Sequence, residues 1–128
     1  MADLLETGQA WLADQLKTHA SRQVVYQRGP QQVAVQATIG RTLLKLDDDY
    51  GGIRMEWTDR DFLIQAADLV LGAETITPER GDLVKETVGP LMTTYEVAAY
   101  GGEPPWRTSD PFGVVLRIHT KRIESVAV

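Results

Sequence analysis

The chain has no cysteine among its 128 residues. Disulfides, thiol nucleophiles and cysteine-based zinc sites are therefore excluded, and cytoplasmic folding is compatible with the composition. Histidine is almost as scarce: His19 and His119 are the two copies. Neither stands in a serine–histidine motif or at metal-ligand spacing, so structural or solvated roles are expected for both. No run approaches the roughly 20 apolar residues that cross a bilayer, and no membrane role is expected. The opening Met1-Ala2-Asp3-Leu4-Leu5-Glu6 has no basic stretch and no unbroken apolar run, so a secretory leader is not expected. Basic charge is in deficit too. Lys and Arg number 13 against 18 Asp and Glu, a net charge of -5, which gives no general attraction to nucleic acid or anionic membrane.

What is present is an ordinary globular balance. Apolar residues make up 43%, enough for a core without crosslinks. The length fits a single domain over 1–128, divided into a helix over 1–21 and a β unit over 22–128. Asp3 and Glu6 have the spacing of a capping box. Leu4, Leu5, Trp11, Leu12 and Leu16 then recur at a helical period, with Asp14, Gln15 and Lys17 toward water.

After Arg22 the period falls to two. Val24 and Tyr26 alternate with Val25 and Gln27. Beyond Gly29-Pro30, Val33, Val35, Ala37 and Ile39 continue the pattern, which reads as a hairpin. Residues 47–52, Asp-Asp-Asp-Tyr-Gly-Gly, read as a loop. Ile53, Met55 and Trp57 alternate with Arg54, Glu56 and Thr58, as in a strand with one wet face. Asp61 to Ile64 form a further strand, and Ala66 to Leu71 fit either strand or a short helical turn. Pro78 and Gly81 mark a turn ending in Asp82, whose carboxylate can accept backbone hydrogen bonds. Strands follow from Leu83, around Tyr95, Val97 and Ala99, and through Val114, Leu116 and Ile118. Residues 101–111 read as a loop. The expected fold is mainly β: a small antiparallel barrel or sandwich of about six to eight strands with one N-terminal helix.

Candidate chemistry is thin. Asp47, Asp48 and Asp49 are consecutive, whereas an EF-hand loop needs alternate ligands and a distal Glu. Arg80-Gly81-Asp82 is explained by its turn. Gly101-Gly102 precedes Glu103-Pro104-Pro105, which would repel a phosphate and lacks donors at both prolines. No catalytic residue, cofactor or metal site is expected. An enzyme would require Asp61, Glu96 or His119 to converge in a cleft. Arg117, His119 and Lys121 form a row on one strand face, either solvated or a rim for an acidic partner or passing DNA. Trp106 and Arg107, stiffened by two prolines, either anchor an interface or cover a barrel end.

Two motif groups carry a family resemblance. Pro78, Gly81, Asp82, Leu83 and Val84, then Gly89, then Tyr95-Glu96-Val97, resemble the head–tail joining proteins of tailed bacteriophages, also called neck, adaptor or tail-completion proteins. Residues 105–110 (Pro-Trp-Arg-Thr-Ser-Asp) and 116–121 (Leu-Arg-Ile-His-Thr-Lys) are similar to prophage neck-region proteins. The resemblance implies a structural, non-enzymatic virion protein, made in the bacterial cytoplasm. It would assemble as a homo-oligomeric ring between portal or connector and tail, with DNA passing through and no sequence-specific DNA contact. Trp106, Arg107, Arg117, His119 and Lys121 are then the candidate interface. The alternative is a small β-barrel ligand- or peptide-binding module of non-viral origin, with a pocket lined by Trp57, Tyr95 or Trp106.

Overall fold

The computed structural model describes residues 21–47 and 51–127. The helix expected over 1–21 lies outside these residues except for Ser21, which precedes the first strand.

Eleven strands run in order through the described residues: β1 (Arg22–Arg28), β2 (Gln31–Gly40), β3 (Leu43–Asp47), β4 (Ile53–Trp57), β5 (Arg60–Gln65), β6 (Val70–Leu71), β7 (Glu74–Thr75), β8 (Leu83–Val88), β9 (Leu91–Val97), β10 (Trp106–Thr108) and β11 (Val115–Ala127). A 3-10 turn, Ala66–Asp68, precedes β6, so both readings of that stretch are realised in succession.

Six strands close a barrel in the order β11-β5-β2-β1-β8-β9, with β9 pairing back onto β11, all antiparallel. Closure rests on the length of β11. Its first half, Val115 to Thr120, pairs with β5, and Thr120 to Ala127 pairs with β9. The register shifts between Arg122 and Glu124, a bulge at Ile123 that bends the strand from one neighbour toward the other.

Alternation fills the barrel. Val24, Tyr26, Val35, Ala37, Phe62, Ile64, Val84, Tyr95, Val97, Leu116 and Ile118 all point inward and are buried. Phe62 meets Tyr95 edge to face, ring centroids 5.3 Å apart. Leu69 and Leu71, beside the 3-10 turn, join the same core. Each fully buried aliphatic or aromatic side chain contributes about 1.5–3 kcal/mol. Among the described residues the barrel interior is occupied by these side chains, which speaks against the internal pocket of the alternative reading. Trp57 lies exposed outside the barrel, Tyr95 inside it, and Trp106 against its core.

Two hairpins use the same turn chemistry. Gly29-Pro30 joins β1 to β2, and Gly89-Pro90 joins β8 to β9, each as a two-residue loop. Both glycines sit at φ +57, and the proline fixes the second position near -65. This matches the II′ arrangement, whose twist suits flanking strands.

The β3–β4 hairpin leaves the barrel between β2 and β5. Gly40 pairs with Asp61, and the next pair is Leu43 with Trp57. Two residues intervene on one side and three on the other, a one-residue shift that turns β4 over relative to β5. Leu44 and Leu46 pack on Tyr100 and Ala98, forming a second small core. Leu43, Met55 and Trp57 face the other way.

Candidate interaction surface

The base of the hairpin is held by a buried polar cluster. Asp61 on β5 is its hub. Its carboxylate accepts from Nδ1 of His119 (2.9 Å) and from the Arg117 guanidinium (3.0 Å), both on β11, and from the Thr42 hydroxyl. Thr58 also bonds to it. An ionised carboxylate only accepts, so Nδ1 of His119 carries the proton. Burial alone would raise the Asp61 pKa. The hydrogen bonds from His119, Thr42 and Thr58 outweigh it and bring it down to about 2. Thr42 and Thr58 also close the hairpin's neck, through Thr58 N–H to Thr42 C=O and Thr42 N–H to Thr58 Oγ1, each 2.9 Å. Tyr100 completes the brace: its hydroxyl donates to the Thr120 carbonyl and accepts from the Asp59 N–H.

Asp61 and His119 therefore do converge, but without access. Asp61 is 0% exposed and His119 2%, while Glu96 projects to solvent. The threonine hydroxyl donates to Asp61 rather than to His119, so no nucleophile faces the imidazole. The group reads as a bracket that orients the hairpin. Among the described residues no cluster of His, Asp and Glu fits a metal.

A second network fixes the Pro78-to-Asp82 turn. The Asp82 carboxylate accepts from the Tyr26 hydroxyl, Nε (2.9 Å) and Nη2 (2.7 Å) of Arg28, and the Glu79 N–H (2.9 Å). Burial would raise its pKa, but the bonds from Arg28, Tyr26 and Glu79 win and lower it. Asp110 behaves likewise. Three backbone N–H groups, from Phe112, Val114 and Val115, converge on its carboxylate and shape the approach to β11. They lower its pKa against the opposing effect of burial.

The five candidate interface residues do not share one surface. His119 is buried, correcting the expected exposed row: the 98–102 segment and the hairpin cover the outer face of β11 where alternation had placed water. Arg117 is drawn inward to Asp61 and Thr42. Trp106 is half-buried against the barrel core, as a cover rather than a projection. Arg107 and Lys121 are exposed, with the Lys121 ammonium 4.9 Å from the Tyr100 ring centre.

The surface that sequence reasoning missed is the hairpin's outer face. Leu43 is 42% exposed, Ile53 58%, Met55 56% and Trp57 51%. The register places Leu43 opposite Trp57 and Lys45 opposite Met55, so these residues form one patch. The alternation of Ile53, Met55 and Trp57 was legible, yet it read as a core face. Beside Trp57 lies a basic basin of about 300 Å³ lined by Arg41, Asp59, Arg60, Tyr95 and Arg122. Arg41 stacks over Trp57 at 5.3 Å and donates to the Thr58 carbonyl. Arg60 stacks over Tyr95 at 5.1 Å and pairs with Glu86. The Arg122 guanidinium has no hydrogen-bond or ion-pair partner among the described residues.

A contiguous apolar patch on a braced projection, flanked by convergent guanidinium groups, is the anatomy of a protein contact. No curated protein matches the chain in sequence. The sequence profile described as "Phage head-tail joining protein" matches residues 2–127, and the chain belongs to that family of structural phage proteins.

Proposed function

We propose that the protein is a non-enzymatic building block of the virion at the head–tail junction, and that the outer face of the β3–β4 hairpin is a contact to a neighbouring junction protein. The observation that carries this reading is the exposed row of Leu43, Ile53, Met55 and Trp57 on a hairpin anchored by the Asp61 cluster. A braced base with an apolar outer face limits the ordering cost of association. Portal or connector proteins on one side and tail proteins on the other are the expected partners. A homo-oligomeric ring around the DNA path would use heterologous contacts between adjacent copies. Arg107 and Lys121, both exposed, are proposed as secondary polar contacts. Synthesis in the host cytoplasm fits a chain without cysteine.

The test is assembly. Met55→Asp places a charge in the patch without touching the barrel core. Phage carrying it are expected to accumulate filled heads and free tails, counted by electron microscopy, while the protein remains folded. Normal yields of joined particles would overturn the assignment of this face.

A further inference from the structure

The basin beside Trp57 gathers hydrogen-bond donors and offers them few acceptors. Its guanidinium groups come from three places in the sequence: Arg41 leads into β3, Arg60 opens β5 and Arg122 stands beside the bulge of β11. Arg60 shares the buried carboxylate of Glu86 with Arg22, so one anion serves two cations there. Arg41 donates through Nε to the Thr58 carbonyl and stacks on Trp57, but forms no ion pair among the described residues. The Arg122 guanidinium is free of both kinds of partner among them. Asp59 also lines the basin, yet its carboxylate accepts from the Arg122 backbone N–H (3.1 Å) and pairs with none of the three guanidinium groups. The basin is therefore cationic in a chain whose net charge is -5.

Tyr95 adds an independent observation. Buried tyrosine hydroxyls find partners as a rule. Tyr26 gives its proton to Asp82, and Tyr100 to the Thr120 carbonyl. Tyr95 is 6% exposed and lines the basin, yet its hydroxyl makes no hydrogen bond among the described residues. Burial raises its pKa, against the opposing effect of Arg60, so the hydroxyl keeps its proton and stands as a donor.

Guanidinium forks and a phenol around one space call for an anion with several acceptor lone pairs, which is an oxyanion. The surroundings select its source. Arg41 on Trp57 joins the basin to the exposed row of Trp57, Met55 and Ile53. A phosphodiester backbone would meet the arginines and leave that row uncovered. A protein segment with an acid beside apolar side chains meets both.

We infer that the basin is an oxyanion pocket for a carboxylate, the Asp or Glu side chain of an apolar-flanked segment on the junction protein that covers the hairpin face. This rests on that face being a protein contact. The carboxylate gives Arg41, Arg122 and Tyr95 their missing acceptor, and it sets the register in which the apolar side chains meet the row.

The probes are two monoanions, acetate and dimethyl phosphate, titrated at constant ionic strength into the isolated full chain. The Nε–H signals of Arg122 and of the exposed Arg80 are followed by NMR. Acetate is expected to bind at Arg122 at least fivefold more tightly than at Arg80. Tyr95→Phe should weaken that binding at least threefold and leave the urea midpoint unchanged, because the lost hydroxyl bonds to nothing in the free protein. Equal affinities at the two arginines would mean an adventitious ion only and would overturn the pocket. Dimethyl phosphate bound at Arg122 at least fivefold more tightly than acetate would assign the pocket to a nucleic-acid backbone and overturn the carboxylate. In phage, Arg122→Glu is expected to cut joined particles at least tenfold, and Arg122→Lys less, since lysine keeps the charge and loses the fork. If Met55→Asp blocks joining while Arg122→Glu leaves yields normal, the hairpin face stands as a contact and this inference falls. Normal joining with Met55→Asp would remove the partner from both readings, whereas failure of the acetate titration removes the pocket alone.

Discussion

Nδ1 of His119 lies 2.9 Å from Oδ1 of Asp61, and both side chains are buried where β11 pairs with β5. The same carboxylate accepts from Arg117 and Thr42. One acid thus ties the barrel wall to the neck of the hairpin. Removing one partner of such a group leaves the others desolvated and unmatched, at a cost of about 3–5 kcal/mol. Asp61→Ala is expected to lower stability by about that amount in urea unfolding, and to release the hairpin first, seen as faster hydrogen exchange over 53–57.

The same residue gives the protein an acid limit. The folded pKa of Asp61, about 2, lies below its ordinary 3.8. A depressed carboxylate stabilises the fold above its unfolded pKa, and this contribution is lost as pH falls toward the folded value. The difference is worth about 2 kcal/mol. Asp82 and Asp110 shift in the same direction and add to the slope. The urea midpoint should hold between pH 7 and 5 and then decline toward pH 2. Asp61→Asn should be less stable at pH 7 and decline less steeply.

Tyr26→Phe tests the turn network. The hydroxyl reaches Asp82 inside the barrel end, and burial followed by the Asp82 contact raises the tyrosine pKa far above its usual value. Arg28 and the Glu79 N–H remain in the variant, so the loss should be modest, about 1–2 kcal/mol. Carboxyl titration by NMR should show Asp82 moving upward toward the ordinary range.

Gly29→Ala and Gly89→Ala isolate backbone strain. No atom lies within 4 Å of an added Cβ at either position, and both glycines have φ +57. Each variant should lose about 1 kcal/mol, with an unchanged urea slope.

Much of the barrel was legible in the sequence. Two-residue alternation marks β1, β2, β5 and the first half of β11, Leu83 and Val84 mark the start of β8, and Gly29-Pro30 marks one hairpin, whereas Gly89-Pro90 reads only as a break and turns out to join β8 to β9. The acceptor role of Asp82 followed from turn chemistry, since the Glu79 N–H reaches it. Other features depend on tertiary context. β3 escaped notice because Leu43 and Leu44 adjoin, which blurs the period. β4 was recognised, but alternation states that a strand has two faces and not which face is covered. The one-residue shift at the hairpin neck decides that, and it exposes Ile53, Met55 and Trp57. His119 followed the polar period of β11, yet a second layer built on Tyr100 buries it with Asp61. Closure of β9 onto β11 joins residues distant in sequence across a bulge, and no local pattern encodes it.

The central claim is that the outer face of the hairpin touches another junction protein in the assembled particle. The most direct measurement places a photocrosslinking amino acid at position 55 in the full chain, incorporated into intact phage and irradiated after assembly. The account expects a covalent adduct to a head or tail protein, identified by mass spectrometry and absent when the crosslinker replaces Thr87. Efficient incorporation into joined particles with no adduct from position 55 would contradict it.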